Sequence, residues 1–144
     1  MENREMAVRL FESISTLYAL PDCRKMAEYS RGELLVLLTL EKRGPLTPGQ
    51  LINITDSSSA HVAKIIRKLT SKGLVSRNAD PADKRRVVAE LTEKGHQTAR
   101  EQYEQIIDQV AGLMNSLGEE KSRQVISAID EVIRIIRNRK EAGL

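Results

Sequence analysis

Between Gly73 and Thr92 the helical rhythm of this chain breaks once, and that single break limits what the chain can become. Leu74–Ala79 and Arg86–Leu91 are short β-prone runs. In the second, Val87, Ala89 and Leu91 alternate with Val88 and Glu90. Asp80-Pro81-Ala82-Asp83-Lys84-Arg85 joins the two as a turn-rich loop. The expectation is one hairpin, and an isolated hairpin is at best marginally stable in water. The core must come from helices, so the fold class is mainly α with one short β-hairpin.

The apolar spacing supplies those helices. Residues 4–20 place Leu10, Ile14 and Leu17 at helical intervals, and Pro21-Asp22 ends the run. Ser30-Arg31-Gly32-Glu33 reads as a capping box that opens a helix through Leu34, Leu35, Leu37, Leu38 and Leu40; Gly44-Pro45 stops it. Thr47-Pro48-Gly49-Gln50 is a second start signal, with Pro at the first helical position. The helix it opens is short, because Asp56-Ser57-Ser58-Ser59 interrupts it and caps the next, about 58–72. A long helix follows from Thr92-Glu93 to about Ser116, with Tyr103, Ile106, Ile107, Val110 and Leu113. After Leu117-Gly118, a last helix carries Val125, Ile126, Ile129, Val132, Ile133 and Ile136. Aromatics are 3% of the chain, so the core must be aliphatic. The two C-terminal stripes are wide and need cover, from the first helix or from a second subunit.

The order helix, helix, short helix, cationic helix, hairpin is that of a winged helix-turn-helix. In 58–72, Val62, Ile65, Ile66 and Leu69 share one face, while Ala60, Lys64, Arg67, Lys68 and Ser71 share the other. A major groove admits one helix between phosphate walls. Small residues on the first turn (Ser57, Ser58, Ser59, Ala60) permit close approach to base edges. His61 and Lys64 stand where they can donate to bases, with Arg67 and Lys68 further along, nearer phosphates. Lys84, Arg85 and Arg86 put three cations near the hairpin tip, a shape and charge suited to a minor groove. Asp80 and Asp83 are expected to support that wing, by capping the turn or by pairing with Arg77 and Arg85. The bland alternatives are a solvated charged helix face and an ordinary hairpin.

Charge placement argues against those alternatives. Residues 57–86 hold eight cations against Asp80 and Asp83, a charge of +6 on a chain whose total is +3. A basic stretch on a near-neutral body is the footprint of a phosphate-binding surface. A protein-interaction module of the same fold is the competing reading, and the cationic hairpin disfavours it.

Residues 69–95 run Leu-Thr-Ser-Lys-Gly-Leu-Val-Ser-Arg-Asn-Ala-Asp-Pro-Ala-Asp-Lys-Arg-Arg-Val-Val-Ala-Glu-Leu-Thr-Glu-Lys-Gly. This closely resembles the signature of the MarR family: a Lys-Gly-Leu-Val-x-Arg lead-in, a Pro-x-Asp-Lys/Arg-Arg wing and a Leu-Thr-x-x-Gly exit. The resemblance implies one domain over 1–144, with a DNA-binding lobe at about 30–95 and dimerisation helices at about 4–20 and 96–140. It implies a homodimer on a palindromic operator in double-stranded DNA, usually as a repressor, often released by a small-molecule effector or an oxidant. Leu10, Ile14, Leu17, Ile129, Val132, Ile133 and Ile136 would form the dimer contact. Arg85 would be the minor-groove arginine and Asp83 its support. Thr55-Asp56 departs from the pattern, standing where many members have Leu-Gly.

Other chemistry is sparse. The sole cysteine, Cys23, precedes Arg24-Lys25, a setting in which a thiol can sense oxidants; the alternative is an inert loop cysteine. His61 and His96 with one cysteine make no metal-ligand spacing, and His96 is expected exposed on the turn after Thr92. No catalytic motif is present, so no enzyme and no cofactor are expected. The N-terminus lacks a signal-peptide layout and no apolar run reaches membrane-spanning length, so the expected location is cytoplasmic, with no membrane partner.

Overall fold

The computed structural model of the chain describes residues 2–29 and 32–143. Helices α1 (Asn3–Ala19), α2 (Pro21–Tyr29), α3 (Glu33–Arg43), α4 (Pro48–Thr55) and α5 (Ser59–Ser71) come first. Strands β1 (Val75–Ala79) and β2 (Val87–Leu91) follow, then α6 (Glu93–Leu117) and α7 (Glu119–Glu141). The chain divides into two compact units, Met1–Ile106 and Ile107–Leu144.

The first unit is built around one aliphatic core. Val36, Leu37 and Leu40 of α3 meet Leu51 of α4 and Val62, Ile65, Ile66 and Leu69 of α5. Val75, Ala89 and Leu91 of the hairpin and Ala99 of α6 close it. Fully burying each large aliphatic chain stabilises by about 1.5–3 kcal/mol.

Caps set the helix boundaries. At α4, Gln50 N–H donates to Thr47 Oγ1 at 3.1 Å and Thr47 N–H to Gln50 Oε1 at 2.9 Å, a reciprocal capping box. α5 ends in a Schellman turn: Leu74 N–H reaches Leu69 O (2.9 Å) and Gly73 N–H reaches Thr70 O (3.0 Å). Gly73 sits at φ +72°, which side chains resist. The hairpin is antiparallel, pairing Val75 with Leu91 through Ala79 with Val87. Leu46 adds one bridge to it, exchanging hydrogen bonds with Ala89 at 3.1 and 2.7 Å.

Several sequence expectations are corrected. Pro21 ends α1 but also opens α2, because proline tolerates the first helical position. Cys23 therefore lies in a helix and not a loop. The strands begin at Val75 and Val87, one residue later than expected at each start. The alternation in β2 fails at its first pair: Val87 is half exposed and Val88 is buried, though outside the main cluster. His96 is not simply exposed, since its Nδ1 meets Glu41 Oε2. Gly32 is the N-cap of α3 and makes no side-chain cap bond; Ser30 and Arg31 of the expected capping box lie outside the described residues.

In the second unit, α6 and α7 meet at Gly118, φ +81°. Ser122 Oγ donates to Gly118 O (2.7 Å) and Met114 O (3.1 Å), and it is the one buried residue of α7. Apolar faces stay open on both units: Leu10, Phe11, Ile14 and Leu17 of α1, and Ile126, Ile129, Val132, Ile133 and Ile136 of α7, are all exposed.

Gly95 on the first turns of α6 lies against backbone. A Cβ there would stand 2.0 Å from Leu74 O. Gly95→Ala should therefore lower stability by about 1–3 kcal/mol, read as a lower urea midpoint. Gly49→Ala, whose Cβ would meet nothing nearer than Thr47 Oγ1 at 3.9 Å, should be at least as stable as the parent.

Candidate nucleic-acid interface

α4 and α5 form the helix-turn-helix, and the turn depends on one strained residue. Asp56 adopts φ +51°, the left-handed conformation that Gly supplies without cost and that Asp tolerates better than most. This is why Asp56 can stand where glycine is usual. Ser57 N–H reaches back to Ile52 O at 3.3 Å, and Ser57 Oγ to Thr55 O at 3.3 Å. Ser58 is the N-cap of α5; its Oγ accepts from His61 N–H at 3.1 Å. The cap orients the first turn so that Ser58, Ser59, Ala60 and His61 are exposed, while Ser57 is half-buried. Lys64, Arg67 and Lys68 continue the exposed face, and Val62, Ile65, Ile66 and Leu69 face the core.

The cations of α5 are not equivalent. Lys72 Nζ lies 2.5 Å from Glu33 Oε2, and Lys68 Nζ 3.9 Å from Glu33 Oε1. Glu33 opens α3, 39 residues before Lys72, so no local pattern announces the pairing. Both lysines are exposed while Glu33 is half-buried, and ion pairs at the surface contribute roughly 0–1 kcal/mol. The carboxylate nevertheless draws Lys68 and Lys72 toward α3, whereas among the described residues Lys64 and Arg67 have no carboxylate partner.

The hairpin tip is held by its two aspartates. Ala82 N–H donates to Asp80 Oδ1 (2.9 Å), and Asp80 N–H to Arg86 O (2.9 Å). Asp83 Oδ1 accepts from Arg85 N–H (3.1 Å) and Nε–H (3.2 Å), and Asp83 O from Arg86 N–H (3.0 Å). Arg85 thus has a side chain 92% exposed yet tethered at its Nε. Lys84 and Arg86 are exposed beside it. Among the described residues Arg77 pairs with neither aspartate; it shares a cleft with Arg67, Thr70 and Ser71. The strands carry one contact that sequence reasoning missed: Asn78 Nδ2 donates across the pair to Glu90 Oε2 at 2.9 Å.

Away from the hairpin, Glu41 of α3 binds His96 and lies 3.6 Å from Arg100 Nε on α6. Next to them a hollow of about 370 Å³ is lined by Tyr29, Leu38, Glu41, Lys42, Ala99, Arg100 and Tyr103. Among the described residues, no group of three His, Cys, Asp or Glu could hold a metal ion, and no helix is long and apolar enough to cross a membrane.

Residues 29–87 match the model of the MarR family. The chain is 30% identical over 118 residues to the uncharacterized HTH-type transcriptional regulator YkoM of Bacillus subtilis, covering 82% of this chain and 75% of that one. It is 35% identical over 63 residues to the HTH-type transcriptional repressor NicR of Pseudomonas putida, a stretch that spans 44% of this chain but only 40% of NicR. Its fold is that of a MarR family protein from Bacillus stearothermophilus, with TM-score 0.76 at 19% identity over 95% of this chain and 99% of the other.

Ser58 fixes where the exposed helix begins. Ser58→Ala should cost about 1 kcal/mol in chemical denaturation and speed amide exchange at His61, whereas Ser58→Asn should keep both near the parent.

Proposed function

The chain belongs to the MarR family of DNA-binding transcription regulators, and from that premise we propose that it acts as a homodimeric, effector-responsive repressor of a palindromic operator. The observation that carries this reading is the pairing of two exposed cationic elements on one lobe, the outer face of α5 and the Asp83-tethered hairpin tip. Ser58, Ala60, His61 and Lys64 would read base edges in the major groove. Lys84, Arg85 and Arg86 would engage the flanking minor groove, where narrow A·T-rich sequence favours arginine.

The open apolar faces support the dimer. α1 buries none of its residues, whereas helices in proteins draw most of their stability from packing an apolar face. Leu10, Ile14 and Leu17, with Ile129, Val132, Ile133 and Ile136 of α7, form the surfaces that a second copy would cover. The hollow beside Glu41, His96 and Arg100 is the candidate seat for a small effector, because it combines apolar walls with charged groups.

DNA binding is tested by titrating duplexes from the gene's own promoter region. His61→Ala or Lys64→Ala should alter base preference, costing about 1–3 kcal/mol at a contacted pair. If both variants keep the parental ratio of operator to scrambled binding, these residues do not read sequence.

The dimer fixes the operator geometry. Two copies of α5 entering successive major grooves on one face require half-site centres about 10 base pairs apart. Five base pairs inserted between the half-sites should abolish tight binding, and one or two should weaken it strongly. Undiminished binding to the five-base-pair insertion, or sedimentation as monomer alone at micromolar concentration, would overturn the dimeric reading.

A further inference from the structure

The cleft between the last turns of α5 and strand β1 carries two guanidinium groups, Arg67 and Arg77, and two hydroxyls, Thr70 and Ser71. It is open to solvent, and both arginines are exposed. Several cations of the chain have carboxylate partners: Lys68 and Lys72 at Glu33, Arg85 at Asp83, Arg100 at Glu41, Arg123 at Glu119 and Arg134 at Glu131. Among the described residues Arg67 and Arg77 have neither an ion pair nor a side-chain hydrogen bond. Two like charges in one cleft repel, and an anion between them reverses the sign of that interaction. Guanidinium is also the group whose planar fork matches two phosphate oxygens.

The hydroxyls suit the same ligand. Thr70 Oγ1 now donates to Ile66 O (2.7 Å) and Ser71 Oγ to Lys68 O (2.8 Å). Rotation about Cβ–Oγ turns either proton toward an oxyanion at the cost of a weak intrahelical bond. Arg67 lies three residues beyond Lys64 on the exposed face, and Arg77 lies on the strand leading to the hairpin tip. The cleft therefore joins the base-reading helix to the wing.

We propose that Arg67 and Arg77, with Thr70 and Ser71, form one oxyanion clamp that grips a single backbone phosphodiester of the bound DNA. This assigns Arg77 to phosphate binding and not to support of the hairpin tip. The clamp rests on the DNA-binding reading and adds affinity without reading sequence.

Fluorescence anisotropy with a promoter duplex, over a series of salt concentrations, tests this on the full chain. Arg77→Ala and Arg67→Ala should each weaken operator and scrambled duplex alike, by roughly tenfold for a lost charge-assisted contact. Each should lower the magnitude of the log–log salt slope by up to about 0.9, the value for one phosphate. Because both arginines hold the same phosphate, the double variant should lose little more than either single one. Arg77→Lys should keep most of the slope yet bind more weakly, which separates charge from fork geometry. Circular-dichroism melts matching the parent should accompany each variant. A salt titration of Arg77→Ala or Arg77→Lys that overlays the parent, or slope losses that simply add in the double variant, would overturn the shared clamp. Calorimetry with inorganic phosphate distinguishes a free anion: binding lost in Arg77→Ala while DNA affinity is unchanged would assign the cleft to that anion instead. A parent that binds no duplex would overturn the DNA-binding reading itself, and the clamp with it.

Discussion

The relation between α5 and the hairpin depends on Thr92. Its Oγ1 donates to Gly73 O at 2.6 Å and accepts from Gly95 N–H at 3.0 Å, while its N–H donates to Leu74 O at 3.0 Å. One residue thus closes the end of α5, the start of β1, the exit of β2 and the first turn of α6. Gly95 completes the joint because only a bare Cα fits beneath Leu74 O. The spacing Lys-Gly-Leu followed by Leu-Thr-x-x-Gly is the covalent record of this joint. Each of its members contributes a turn, a hydrogen bond or an absent side chain. Along the chain only residues 72–74 link α5 to β1, and the Thr92 bonds, together with the shared core, hold the hairpin at a fixed angle to the helix.

The joint also explains how so small a sheet persists. Two strands alone would be marginal. Here Leu46 adds a third row through its paired bonds to Ala89, and Val75, Ala89 and Leu91 share the helical core. The outer half of the hairpin receives no such packing. It is held by the local bonds of Asp80 and Asp83, which require no neighbours. Rigid at its base and locally braced at its tip, it can project cations without a core beneath them.

Much of this was legible in the sequence because it is encoded by local periodicity. The burial of Val62, Ile65, Ile66 and Leu69 and the capping by Thr47 and Gln50 follow from helical spacing and cap chemistry. The two strands and their turn follow from alternation and Asp-Pro chemistry, although Val88 is buried where alternation points it outward. What escaped was of two kinds. Helix α2 was hidden because Pro21 signals a stop for one helix and a start for another. The Leu46–Ala89 bridge, the Glu33–Lys72 pair and the Glu41–His96 contact join residues 39 to 55 apart or lie outside any run, so no local rule reaches them. Arg77 shows the same limit: sequence places it beside Asp80 and Asp83, while the strand turns it toward α5.

Those distant contacts change the meaning of the charge count. The segment 57–86 carries a formal +6, but the total overstates what a nucleic acid meets. Glu33, from outside the segment, sits against Lys68 and Lys72, and Asp83 holds Arg85 at its Nε while leaving the rest of the guanidinium in solvent. Among the described residues, Lys64, Arg67, Arg77, Lys84 and Arg86 have no carboxylate partner. They run from the outer face of α5, through the cleft at β1, to the hairpin tip. An exposed ion pair contributes little to stability, so the fold loses almost nothing by keeping Lys68 and Lys72 occupied. A phosphate approaching those two lysines must compete with a carboxylate already in place, whereas one approaching the unpaired series does not. The fold thus sorts a uniformly basic stretch into a satisfied end beside α3 and an unsatisfied line along the proposed path of the DNA backbone.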